Sequence, residues 1–99
     1  MQSAHASVPG SLSVLVVDDD VDFLELFSRQ IAALGHQAVT ADSGAAALDV
    51  LRTQAFDVVV CDLVMPGFDG HDVLASVQAS PQAPAFILVS ADPGRDDII

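Results

Sequence analysis

Two hydrophobic rhythms alternate along this chain. Residues 12–17 are apolar on both alternating faces, as a central parallel strand covered on both sides requires. Residues 56–61 and Ala85–Val89 repeat that pattern, and Gln37–Ala41 fits a shorter, weaker strand. Between these segments the period becomes helical. Phe23, Leu24, Phe27, Ile31 and Leu34 follow one helical face, with Gly35 as its stop. Ser43 is positioned to cap a second helix whose inner side carries Ala47, Leu48 and Leu51. Asp69 is positioned to cap a third, with Leu74 and Val77 facing inward, before Pro81 and Pro84 break the chain. Strand and helix alternate three times, followed by a fourth strand and the start of another helix. That order predicts an α/β fold, an open parallel sheet with helices on both faces and right-handed crossovers.

A chain of 99 residues, 52% of them hydrophobic, is expected to form one small domain. A domain of this size buries only about 60–65% of its unfolded surface and has little stability to spare. Residues 1–11 have little to bury and read as a flexible leader, with the domain running over 12–99. Three arginines and no lysine face fourteen acids, thirteen Asp and Glu25, for a net charge of -11. Such a surface repels nucleic acid and anionic lipid, which argues against direct DNA binding. Cys61 is the sole cysteine, so neither an intramolecular disulfide nor a cysteine-based zinc site is available. Residues 1–11 lack a basic start and an apolar run, and no apolar stretch approaches the roughly 20 residues of a membrane helix. A cytoplasmic location is the expectation.

Charge becomes informative where it meets the strand pattern. In an open parallel sheet, ligands bind outside the carboxyl ends of the strands at a topological switch point. Asp18, Asp19 and Asp20 end the first strand and Asp62 ends the third. If those strands are neighbours, three or four carboxylates converge. They repel one another and raise each other's pKa unless a cation relieves them. Oxygen-only ligands favour a hard ion, and Mg2+ retaining several waters fits best. Ser90 ends the fourth strand and offers a hydroxyl to an anion held there. A single Asp at a strand end is ordinarily a helix cap or a solvated turn, which suffices for Asp20 and Asp22. The combination of Asp18, Asp19, Asp62 and Ser90 calls for more. Cys61, one position before Asp62, is turned away by strand alternation into a buried structural role. His71 reads as semi-exposed and His36 as loop.

Three segments make a resemblance specific: Val-Leu-Val-Val-Asp-Asp-Asp, then Asp-Val-Val-Val-Cys-Asp-Leu-Val-Met-Pro-Gly-Phe-Asp-Gly, then Ile-Leu-Val-Ser-Ala. Their order and spacing, from about Leu12 to the chain end, resemble a two-component response-regulator receiver domain of the chemotaxis-regulator type. The resemblance implies a flavodoxin-like strand order, 2-1-3-4, and Asp62 as phospho-acceptor. It implies Asp18 and Asp19 as the acidic pair, with Asp19 a direct Mg2+ ligand and Asp18 acting through water. It also implies Val64 as a main-chain carbonyl ligand and Ser90 as the switch hydroxyl beside the phosphoryl group. The implied donor is a phosphohistidine on a sensor histidine kinase or a histidine phosphotransfer protein.

The same resemblance marks departures. The family continues through a fifth strand and helix, whereas this chain stops at Asp-Asp-Ile-Ile, as a fragment of a longer protein would. The lysine of the family's last loop has no counterpart, because the chain contains none. Two other functions compete. A pseudo-receiver would keep the fold for docking or dimerisation without phosphate. A Mg2+-dependent aspartyl phosphatase would use the spacing of Asp18 and Asp20, but 99 residues leave no room for its cap. Finally, an uncharged strand at Ala85–Val89, apolar on both faces and left at the sheet edge, predicts self-association into a homo-oligomer.

Overall fold

The computed structural model describes residues 10–62, 70–79 and 83–89. Strands β1 (Ser13–Val17), β2 (Gln37–Ala41), β3 (Val58–Asp62) and β4 (Ala85–Val89) alternate with helices α1 (Val21–Ala33), α2 (Gly44–Thr53) and α3 (Gly70–Gln78). The four strands form one parallel sheet in the order β2-β1-β3-β4, the expected arrangement. β1 therefore lies between β2 and β3, and the chain reverses its winding there.

Strand alternation divides the core between the two faces of the sheet. Leu15 and Val17 of β1, Val59 and Cys61 of β3, and Leu88 of β4 pack with Ala47, Val73 and Val77 from α2 and α3. Val14 and Val16 turn the other way, onto Leu24 and Ile31 of α1. Cys61 is fully buried, as its position one residue before Asp62 predicts. On the α1 face, Val58 and Val60 are only half-buried, and Ile87 of β4 is 38% exposed.

The helix boundaries follow from local chemistry. The Asp20 carboxylate caps α1 by accepting from the amides of Asp22 and Phe23, at 3.0 and 3.1 Å. Ser43 Oγ caps α2 by accepting from the Ala46 amide at 3.0 Å. α1 ends in a Schellman turn: Gly35, at φ 91°, donates to Ala32 O, and His36 N donates to Ile31 O. A positive φ there costs glycine nothing.

Three sequence expectations need correction. Leu34 does not face inward; it is the C-cap of α1 and 75% exposed, because the chain turns away before it can reach the sheet. β1 begins at Ser13 rather than Leu12, and β3 at Val58 rather than Phe56. Phe56 is buried, but it packs against the core from the turn after α2. On α3, Leu74 and Val77 pack against the core as expected, beside the fully buried Val73. The expected cap Asp69 lies outside the described residues.

Leu15 and Leu34 make a direct contrast. Leu15→Ala is expected to lower unfolding free energy by about 2–5 kcal/mol, since it opens a cavity in a site with no exposed surface. Leu34→Ala should change it by no more than about 0.5 kcal/mol. Urea unfolding of the two variants checks the assignment.

Candidate functional site

The register of the sheet creates the site. Val17 of β1 pairs with Cys61 of β3, so the next residues, Asp18 and Asp62, emerge side by side at the carboxyl ends of neighbouring strands. One carboxylate oxygen from each of Asp18, Asp19 and Asp62 lies within 4.8 Å of the others. Asp18 and Asp62 are half-buried and Asp19 is exposed, so the cluster opens to solvent on one side.

The triple Asp divides its work by geometry. Asp18 continues the sheet, its amide donating to Ala41 O of β2 at 3.1 Å. Its Oδ1 accepts from the Asp20 amide at 2.9 Å, an Asx turn that bends the chain into α1. Asp20 is then committed to capping and takes no part in the cluster. Asp18 and Asp19 are left facing Asp62.

Electrostatics record the crowding. The Asp18 carboxyl is pushed up from 3.8 to about 6, first by burial and then by the negative charges of Asp62 and Asp19. The Asp20 amide opposes this by stabilising the anion. The two described arginines are engaged elsewhere on exposed helix faces, Arg29 with Glu25 and Arg52 with Asp49. Three oxygen ligands of like charge, partly withdrawn from water, make a site suited to a hard divalent cation.

Of the residues singled out in the sequence, Asp18, Asp19 and Asp62 are thus brought together. Val64 and Ser90 lie outside the described residues, as do Met65, Pro66 and Gly67. His71 is exposed on the first turn of α3. Sequence reasoning passed over Asp57, whose Oδ2 accepts from Ser13 N at 2.8 Å while its own amide donates to Ser13 O at 2.8 Å. That residue ties β3 to β1 at the end of the sheet opposite the acidic cluster. An Asp directly before an apolar strand was its only signal. His36, a loop residue by its sequence position, accepts at Nδ1 from the Leu12 amide at 3.0 Å.

Known proteins share this architecture. Residues 14–99 match the response regulator receiver domain family. The chain is 45% identical over 88 residues to the virulence sensor protein BvgS of Bordetella pertussis, covering 85% of this chain and 7% of that protein. It is 38% identical over 78 residues to the response regulator protein FleR of Pseudomonas aeruginosa, covering 78% of this chain and 16% of the relative. Among solved structures, the Thermotoga maritima response regulator TrrA in complex with Mg2+-BeF superposes with a TM-score of 0.76 at 29% identity. That match covers 83% of this chain and 71% of TrrA. The chain therefore belongs to the response regulator receiver domains, the phosphorelay modules of two-component signal transduction. It spans only a small part of the curated relatives it matches.

A raised carboxyl pKa has a defined consequence for stability. The folded chain holds the Asp18 proton up to about pH 6, whereas an ordinary aspartate releases it near 3.8. Between these values the folded state binds more protons than the unfolded one. The contribution of Asp18 is therefore most favourable at acid pH and is lost as pH rises through about 6. In divalent-metal-free buffer, the melting temperature of Asp18→Asn relative to the parent should climb between about pH 4 and 7 and then level off. A difference that stays flat across this range would contradict the crowding described here.

Proposed function

We propose that this domain, over residues 12–99, accepts a phosphoryl group onto Asp62 from a phosphohistidine on a sensor histidine kinase or histidine phosphotransfer protein. The carrying observation is the convergence of the Asp18, Asp19 and Asp62 carboxylates at the ends of β1 and β3. That convergence supports phosphoryl transfer over a pseudo-receiver, in which a repulsive cluster would have no use.

In the proposed reaction, an ionised Asp62 oxygen attacks phosphorus in line with the P–N bond. The new O–P bond forms as the P–N bond breaks, and the donor imidazole leaves with the electron pair and takes up a proton. The product is an aspartyl phosphate, which water later hydrolyses. A carboxylate and a phosphoryl dianion repel, so the chemistry depends on charge neutralisation and positioning. The Asp18, Asp19 and Asp62 carboxylates fit Mg2+: Asp19 would hold it directly, Asp18 through water, together with Asp62 and, as the family resemblance implies, the main-chain carbonyl of Val64. Bound there, Mg2+ would offset the negative charge shared by Asp62 and the incoming phosphoryl oxygens. The hydroxyl of Ser90 would donate to a phosphoryl oxygen in the product. Burial of Cys61 and Val17 directly beneath the acidic residues keeps Asp62 on a rigid strand end, which preserves the attacking geometry.

Incubation with acetyl phosphate and Mg2+, followed by intact-mass spectrometry, tests the assignment. One phosphoryl group per chain is expected, with loss of labelling in Asp62→Asn and in the absence of divalent metal. Labelling that persists in Asp62→Asn would refute Asp62 as acceptor. Turnover of a phosphate ester would indicate the phosphatase reading instead, and inertness toward both acetyl phosphate and a phosphohistidine donor would favour the pseudo-receiver.

Self-association through β4 is proposed on the exposure of Ile87 and on the position of β4 at the edge of the described sheet. Light scattering over a concentration series is expected to show a rising mass. A constant monomer mass would remove this proposal.

A further inference from the structure

The end of the sheet opposite the acidic cluster contains a bond that depends on the protonation state of one side chain. At the start of β1, Ser13 pairs with Gln37 in the β1–β2 ladder, and Gln37 N donates to Leu12 O at 2.8 Å. In a ladder continued by one more step, the Leu12 amide would donate to the carbonyl of residue 35. Gly35, at φ 91°, has already left the extended conformation. The acceptor is instead Nδ1 of His36, at 3.0 Å.

The imidazole is well placed to act as a fixed acceptor. His36 occupies the last position of the Schellman turn, with its amide held by Ile31 O at 3.2 Å and the preceding Gly35 amide by Ala32 O at 3.0 Å. An apolar residue frequently stands at this position to pack back on the helix. Here a half-buried histidine reaches across to β1. On the other side of β1, the Asp57 carboxylate accepts from Ser13 N at 2.8 Å. Two successive amides at the start of β1 are thus held by side chains, one by an imidazole and one by a carboxylate.

These two acceptors respond differently to acid. An Nδ1 that accepts a hydrogen bond must carry a lone pair, so the neutral imidazole has its proton on Nε2. Imidazolium has no lone pair at Nδ1 and cannot accept from Leu12. The Leu12 amide is therefore a partner for the neutral imidazole alone. Among the described residues, few other charges face this corner. Asp57 stands across β1, β2 has no titratable side chain, and Arg29 on α1 is held by Glu25.

The geometry points to His36 as a pH-dependent latch on the start of β1. The neutral imidazole extends the β1–β2 ladder by one bond, and protonation frees the Leu12 amide while the Gln37–Leu12 bond and the Asp57–Ser13 pair keep the strand in register. The latch is independent of phosphoryl transfer, since it lies at the far end of the strands from Asp62.

NMR of the 15N-labelled chain between pH 5 and 8 tests the latch. Neutral His36 is expected as the Nε2–H tautomer. The Leu12 amide proton shift should follow the His36 titration, and Leu12 protection against hydrogen exchange should fall roughly fivefold on protonation, the worth of one ordinary hydrogen bond. His36→Gln supplies a carbonyl acceptor that does not titrate. It should remove the pH dependence at Leu12 and leave the Asp18 transition at the other end of β1, roughly 20 Å away, unchanged. A neutral His36 with its proton on Nδ1 overturns the proposal from the parent protein alone. So does a Leu12 titration that survives in His36→Gln.

Discussion

Repulsion among carboxylates held at the ends of two neighbouring parallel strands is the constraint on which this structure turns. The Asp20 amide eases it at Asp18, while both described arginines pair with acids on exposed helix faces. The sheet holds Asp18 and Asp62 together all the same, because Leu15 and Val17 of β1 pair with Val59 and Cys61 of β3, all fully buried beneath them. Hydrophobic burial thus overrides electrostatic preference at one point. The raised Asp18 pKa reflects burial of the carboxyl first and the charges of Asp62 and Asp19 after it. A site that gathers like charges in this way is poised for a cation and for chemistry on an anion, at the cost of some stability in their absence.

The two ends of the sheet have opposite characters. At the carboxyl end, side chains compete and the chain turns sharply through Asp18 and Asp20 into α1. At the amino end, side chains replace missing ladder partners, Asp57 for Ser13 and His36 for Leu12. The separation has a physical basis in parallel sheets, where all strands start at one end and finish at the other. Binding chemistry can collect where they finish while the starts are free to be fastened.

Much of this was legible in the sequence. The doubly apolar runs and the helical periods between them specify an open parallel sheet, and the strand limits of β2 and β4 coincide with the structure. The acidic cluster was legible because each of its members ends an apolar run. What escaped were features that hydrophobic pattern does not encode. Leu34 fits the helical period but falls on the capping residue, where the turn rather than the period decides its direction. Phe56 reads as strand because it is apolar, yet it is buried from a turn. Asp57 and His36 act through single bonds to the main chain of distant segments, and no local spacing announces such a bond. Strand order 2-1-3-4 came from family resemblance, since periodicity alone leaves the order of parallel strands open.

The central proposal is that the coupled carboxylates of Asp18, Asp19 and Asp62 bind a divalent cation. Carboxyl 13C NMR of Asp18 as a function of pH, with and without saturating Mg2+, tests it most directly. Without metal the Asp18 midpoint should lie near 6, and with Mg2+ it should fall to the ordinary aspartate range or below. An ordinary midpoint under both conditions, or one near 6 that Mg2+ leaves in place, would contradict the account.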